Sequence, residues 1–590
     1  MSAMDPLDFF KAESGHADAT VRTEAMARTV VVAAILGADR ARDELVPYLL
    51  TRVTDLDQVT LALSSNLGGI VPFIGGPDNV TCLIPLLEQL CGIEETTVRV
   101  ALAGSIAKIL LKLSPASNYK AQAIAFFDLF TKLSSPEEEG VSEIFCSRVT
   151  AAYIIPEIYH VLPDEIKPQA LELYANKVLM DEMSIVKRAA ANSFIKTVRY
   201  CTDARAKSNE FLAMMKSILN DEVASVKIIG IENLSTYATI LKENGSADVL
   251  STDILPLVKA ATEDASWMVR KTISQRYGLF AKCFSKEAVT ETVFPGLMLL
   301  VQDQEPDVRS LALKEMLAFL DVVGHSTYLD VFVPVAVQLA DDPIADARKI
   351  LTLLLIDIAS RVKAEAVAQH LSDLILRLTV DEDPMVRLRV LQKLDIIGQE
   401  TPSLCTRLTE PLKGMLSDLN WRVRKQAALA APGVMKSMGK EYLQSHFLAG
   451  LLELLHDGVD EVRTAVSSSL PKIAALGGSE WAYETIFPAI RSMATSEFLV
   501  RLSMLTALQG LIESDLQGTF QSEALALLVA TTNDKVPNIR LRAAQVLGKV
   551  CAALGPETSR VSIRPVLAAL QGDKDRDVVY FANESLKKCA

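Results

Sequence analysis

The residue types able to carry chemistry are scattered along this chain. Eight Cys stand at 82, 91, 146, 201, 283, 405, 551 and 589, and six His at 16, 160, 325, 370, 446 and 456. No two Cys have C-x-x-C spacing, and no His forms H-E-x-x-H or sits with Cys at zinc spacing, so no metal site is expected. The cysteines read as buried apolar thiols in a reducing compartment. No phosphate-cradling or nucleophile-elbow phrase occurs, and Gly75-Gly76-Pro77 reads as a helix stop and turn. Carboxylates are numerous, but paired acid/base work needs two of them in a closed pocket. Here they recur at one repeated position instead. No catalytic, cofactor-binding or metal residue is assigned, and the chain is not expected to be an enzyme.

That repeated position defines the chain. In Ser417-Asp-Leu-Asn-Trp-Arg-Val-Arg424, Asp418 precedes Arg424 by six residues. The same offset joins Asp181 to Lys187, Asp221 to Lys227, Asp264 to Arg270, Asp303 to Arg309, Asp342 to Arg348, Asp381 to Arg387, Asp457 to Arg463 and Asp534 to Arg540. From Arg270 the basic residues recur at 309, 348, 387, 424, 463, 501 and 540. So steady a period, near 39 residues, marks a repeat array. Looser copies centre on Arg22, Thr60, Arg99, Arg148 and Val579, for fifteen in all. Extra loops are expected at Ser134–Gly140 and at Lys242–Ala247, where Pro, Gly and charge cluster.

Each unit must position its Asp and Arg with two helices. In Tyr442–Leu476, Leu443, Phe447, Leu448, Leu451, Leu452 and Leu455 mark a first helix with one apolar face. His456–Glu461 is a turn with capping residues. Val462, Ala465, Val466, Leu470 and Ile473 mark a second helix, which Pro471 is expected to bend or interrupt. A helical hairpin cannot bury both faces alone, so neighbours must stack. The Asp is expected to cap the second helix. The Arg is expected to reach the Asp of a neighbouring unit, giving a ladder between turns. The fold class is therefore all-α: an α-solenoid of about fifteen repeats.

Composition agrees. Half of the 590 residues are hydrophobic, and only 6% are aromatic, which suits many small helix-on-helix contacts. A formal charge of −13 disfavours a general nucleic-acid binder, which needs a basic face. No apolar run reaches the roughly 18 residues of a membrane span. The opening Met1-Ser-Ala-Met-Asp-Pro-Leu-Asp lacks the basic region and apolar run of a secretory leader. A cytoplasmic protein is expected, with the nucleus as a second compartment.

With chemistry unpromising, the turns draw notice. Turns of a solenoid line up in a ridge, and such ridges bind partners. Two of only three Trp, Trp267 and Trp421, stand three residues before the basic residue of their repeats. Phe498-Leu499 sits at the matching turn. Exposed aromatics there would anchor an interface; the alternative is that each Trp plugs a gap between helices.

Several phrases together resemble one family of HEAT-repeat proteins, the scaffold (A, 65 kDa regulatory) subunits of protein phosphatase 2A. They are Gly75–Glu88, Glu94–Arg99, Lys187–Ala191, Glu263–Trp267, Asn420–Arg424, Gly439–Tyr442 and Asp577–Ala582. The resemblance covers the whole chain. It implies a non-catalytic superhelical horseshoe that joins a catalytic Ser/Thr phosphatase subunit to an exchangeable B-type regulatory subunit. By that resemblance the catalytic subunit docks on repeats 11 to 15 (residues 401–590), at Trp421, Arg422, Asp460, Phe498, Leu499, Val536 and Arg576. Repeats 1 to 10 (residues 1–400) carry the regulatory subunit in their N-terminal part, at Ser184, Arg188, Ser266 and Trp267. Asp460, Arg576 and Ser184 depart from the family's residues there. No nucleic acid, membrane or cofactor is implied. The alternative is another HEAT-repeat adaptor, such as a nuclear transport receptor.

Overall fold

Helical hairpins follow from the apolar periodicity throughout the chain. In the computed structural model, residues 5–113, 118–134, 145–394, 401–514 and 516–589 are described. Among them every regular element is helical. The chain divides into two compact units, Met1–Leu300 and Val301–Ala590, each an α-solenoid of stacked hairpins. The expected inserted turn after Ser134 lies outside the described residues. The other falls where expected: the helix Ala224–Glu243 ends, and Gly245 turns the chain at φ 77°.

The second helices form one continuous layer within each unit. In the first unit Ala19–Ala27, Asp57–Asn66, Thr96–Leu110, Phe145–Val161, Ser184–Tyr200, Ala224–Glu243 and Trp267–Ser274 pack in order. In the second, Pro306–Glu315, Ala345–Ala359, Pro384–Gln392, Trp421–Met438, Asp460–Gly477, Phe498–Glu513, Pro537–Thr558 and Arg576–Lys588 do the same. The apolar residues expected to drive this are buried: Val462, Ala465, Val466, Leu470 and Ile473 on one helix, Leu443, Phe447, Leu448, Leu451 and Leu455 on its partner. Truncating one such Leu or Ile to Ala costs about 2–5 kcal/mol.

Three local expectations need correction. Pro471 does not interrupt its helix, which runs unbroken over Asp460–Gly477. Pro432 and Pro156 are also accommodated inside helices, each eight residues past its ladder Arg. Neighbour packing explains the tolerance: a Cβ on Gly510 of the next repeat would meet Pro471 Cγ at 2.7 Å, so the bare glycine admits the ring. Several first helices, by contrast, are broken, although Lys120–Ser134, His325–Leu339 and Pro402–Leu416 run continuously. The one expected over residues 443–455 divides into Lys440–His446 and Leu448–Glu453 at Phe447. Elsewhere a wide π-turn precedes a proline, as at Ala41–Leu45 before Pro47 and Leu250–Ile254 before Pro256. Proline supplies no N–H to the ordinary ladder there.

The third correction concerns cysteine. Cys82, Cys91, Cys146, Cys201, Cys283 and Cys405 are free thiols, and all but the half-buried Cys82 are buried. Burial pushes the Cys91 and Cys405 thiols up, Cys405 to about 11, which keeps them protonated and unreactive. Cys551 and Cys589 are instead joined in a disulfide, with Cα atoms 5.6 Å apart. They lie one repeat apart on stacked helices, so the period that builds the fold also brings them together.

Candidate functional site

The expected ladder is present, and it positions every candidate docking residue. Arg424 Nε and Nη2 donate to Asp457 Oδ2 and Oδ1 of the next repeat at 2.6 and 3.0 Å. Its Nη1 donates back to the Asp418 carbonyl of its own turn at 2.7 Å. One guanidinium therefore ties two successive turns, using the planar fork that suits Arg to carboxylate. Among the described residues the first unit has rungs Arg22–Asp55, Arg148–Asp181, Lys187–Asp221 and Lys227–Asp264. The second has Arg309–Asp342, Arg348–Asp381, Arg387–Asp418, Arg424–Asp457, Arg501–Asp534 and Arg540–Asp573.

These pairs are largely shielded from water: Arg424 and Asp457 side chains are 18% and 5% exposed. They are therefore worth more than open surface pairs, which contribute about 0–1 kcal/mol. Burial raises the Asp457 carboxyl, but hydrogen bonds from Arg424 and the Val459 N–H outweigh it and hold the group below its ordinary value. The Arg540 hydrogen bond likewise lowers Asp573.

The repeated Asp does not cap the second helix as expected. Asp418 Oδ1 accepts from the Asn420 N–H at 2.8 Å, and Asn420 is itself the N-cap, accepting from the Arg422 N–H. The same two-residue turn recurs at Asp264 with Ser266, Asp457 with Val459 and Asp534 with Val536. The Asp shapes the turn just ahead of the helix, and the residue two positions later begins the cap.

Candidate residues fall at the starts of second helices, on turns that carry rung residues except the Phe498 turn, where Ser496 stands in place of the Asp. Trp421, Asp460, Phe498 and Arg576 are the first residues of Trp421–Met438, Asp460–Gly477, Phe498–Glu513 and Arg576–Lys588. Val536 is the half-buried N-cap of Pro537–Thr558. Phe498 and Leu499 are 43% and 46% exposed, and Arg576 is exposed. Trp421 is half-buried beneath the Arg422 guanidinium, 4.5 Å from its ring centroid, with Lys425 Nζ at 6.0 Å. Asp460 is paired with Arg463 at 2.8 Å.

In the first unit, Ser184 opens Ser184–Tyr200 and Arg188 lies one turn inside, both half-buried. Ser266 caps Trp267–Ser274; Trp267 is 40% exposed and carries Lys271 Nζ 5.5 Å from its ring. The structure brings Trp421 and Arg422 into contact. It spreads the other candidates over successive turns, an arrangement suited to a long surface and unsuited to a closed pocket.

Sequence reasoning passed over Leu419, fully exposed beside Trp421, Met268 beside Trp267, and Tyr580 beside Arg576. Their signal was register: each is an apolar residue within five positions of its repeat's ladder residue. Among the described residues no group of three or more His, Cys, Asp or Glu could hold a metal. None of the described helices is long and apolar enough to cross a membrane.

No protein-family model matches the chain. It is 29% identical over 271 residues to the A-type regulatory subunit of protein phosphatase PP2A from Schizosaccharomyces pombe, covering 46% of this chain and 43% of that protein. The Saccharomyces cerevisiae protein of the same name is 29% identical over 288 residues, 48% of this chain and 43% of its own length. The matched stretch thus spans less than half of either yeast protein. Among solved structures, Kap121p bound to Ste12p superimposes with a TM-score of 0.62 over 91% of this chain and 59% of that chain. At 16% identity that likeness concerns the fold alone. By sequence, about half of this solenoid is similar to the A-type regulatory subunits of protein phosphatase 2A.

Proposed function

We propose that this chain is a non-catalytic scaffold of a Ser/Thr protein phosphatase 2A holoenzyme. The catalytic subunit docks on the turns of residues 401–590, through Trp421, Arg422, Asp460, Phe498, Leu499, Val536 and Arg576. An exchangeable B-type regulatory subunit docks on the N-terminal repeats, through Ser184, Arg188, Ser266 and Trp267. The chain works in the cytoplasm, and in the nucleus as a second compartment.

One observation carries this reading. Half-buried Trp421 and exposed Phe498 each stand three residues before the ladder Arg of their repeats, with exposed Leu499 beside Phe498, and the rungs Arg424–Asp457 and Arg501–Asp534 start from those two helices. Aromatic anchors on a preorganised surface are what dominate interface energetics. The names of the sequence relatives supply the partner. The mechanism is proximity: catalytic and substrate-recruiting subunits held on one frame gain effective concentration without new chemistry. Binding of purified catalytic subunit to the wild-type chain and to Trp421→Ala/Arg422→Ala tests it. Loss of binding in the double variant supports the reading, and absence of binding by the folded wild type refutes it. A small GTPase as the tight partner would point to a transport receptor instead.

A further inference from the structure

A second surface lies away from the ridge, between the first helices of repeats 5 and 6. There Lys167–Leu173, with its π-turn continuation Tyr174–Val178, faces Glu210–Leu219 across a groove of about 720 Å³. First helices of some neighbouring repeats pack directly, as Leu255–Thr262 does on Phe294–Leu300. These two do not pack closely. Small side chains face each other across the gap, Ala175 from one side and Ala213 from the other. Leu171, Leu179 and Met214 form an apolar floor and are almost wholly shielded.

The rim is acidic. Glu172 and Glu210 are exposed and make no ion pair among the described residues. Asp203 is exposed too, its carboxylate engaged among the described residues by the backbone N–H groups of Arg205 and Ala206. Asp164 is matched by Lys167 at 2.8 Å, so three carboxylates on the rim remain uncompensated by side chains. At the ridge end Met180 stands 61% exposed, with Ser217 Oγ 3.1 Å from its sulfur. A flexible thioether at the mouth of an apolar groove adapts readily to different occupants. The groove follows about 14 residues of helix, roughly 20 Å, and its volume falls in the range of ligand sites, about 300–1,000 Å³.

We infer that this groove docks an amphipathic helical segment of a partner protein, its bulky apolar residues on the Leu171–Leu179–Met214 floor and flanking Lys or Arg against Glu172, Glu210 and Asp203. An apolar trough between two helices takes an amphipathic helix by its i, i+3, i+4 face. The unpaired carboxylates select the charge of its borders and reject acidic segments. This surface is independent of the ridge proposed for the phosphatase subunits.

The test uses a labelled 15-residue helix of Leu and Lys, with Leu/Gln and Leu/Glu helices of the same pattern as controls. The full chain should bind the Leu/Lys helix at least tenfold more tightly than the Leu/Gln one and should not bind Leu/Glu. Glu172→Lys/Glu210→Lys should weaken Leu/Lys binding at least tenfold. Ala213→Trp, which fills the trough from an exposed position, should abolish it, with circular dichroism establishing that the variant is folded. The ε-methyl signals of Met180 and Met214 should shift on titration of the wild type. Equal binding of the Leu/Lys and Leu/Gln helices overturns the inference. So does binding that survives both variants, which would mark general attraction to an acidic protein. Unmoved Met180 and Met214 methyls overturn it as well.

Discussion

Arg463 Nη2 donates to Asp460 Oδ1 at 2.8 Å, three residues back on its own helix. Every rung of the second unit otherwise joins an Arg to a carboxylate in the following repeat. The residue 33 positions after Arg463 is Ser496, which offers no charge. Arg463 is 3% exposed, and it uses what remains: Ser503 Oγ, the Asp457 carbonyl and Asp460. Asp460 thus has a structural duty at a position proposed for partner contact.

Asp460→Ala should therefore destabilise residues 457–503 by about 1–3 kcal/mol, the cost of stripping a buried charge of a charged hydrogen-bond partner. Ser496→Asp, which supplies the missing rung, should recover most of the loss. Hydrogen exchange over the two helices measures both. Strict additivity of the two substitutions would show that they do not act on one guanidinium.

The ladder carries a pH dependence with a definite sign. The folded-state value of Asp457 lies below its ordinary value, so its stabilisation is complete above the unfolded carboxyl's value, about 3.9. It is lost as pH falls through the lower folded value. The stability difference between wild type and Asp457→Asn should be constant from pH 7 to about 5 and shrink below about 4. A difference that grows on acidification would contradict the assignment.

Cysteine counting under denaturing, non-reducing conditions should find six free thiols, with Cys551 and Cys589 in one cross-linked peptide pair. A bridge across 38 residues contributes about 4 kcal/mol by loop closure. Reduction, or Cys551→Ser/Cys589→Ser, should therefore speed hydrogen exchange in Arg576–Lys588 while leaving Trp421–Met438 unchanged. Recovery of eight free thiols would refute the bridge.

The architecture was legible in the sequence because one period governs it. The six-residue Asp–Arg offset located the turns, and the apolar spacing of 443–455 and 462–473 located both helices. What escaped detection depended on neighbours. The true cap lies two residues beyond Asp418, because the carboxylate is occupied by the Asn420 N–H and Arg387. Pro471 is tolerated because Gly510 of another repeat makes room. The Cys551–Cys589 pair was hidden by reading cysteines locally. Their separation of nearly one period, on stacked second helices, was the available signal. Of the candidate site, register located Trp421 and Trp267, but only side-chain packing shows one half-buried under Arg422 and the other more open.

Trp267→Ala removes the more exposed anchor and should weaken a B-type regulatory subunit by about 2 kcal/mol, roughly thirtyfold. Affinity for the catalytic subunit should not change, since Trp267 and Trp421 lie in different units. Equal losses for both subunits would indicate general disruption of the solenoid.

The most direct measurement is the affinity of the protein phosphatase 2A catalytic subunit for this chain, wild type and Trp421→Ala/Arg422→Ala, with the melting of both chains compared. The account predicts tight binding to the wild type that falls by at least about thirtyfold in the double variant while the helices stay folded. No binding by the folded wild-type chain would contradict it.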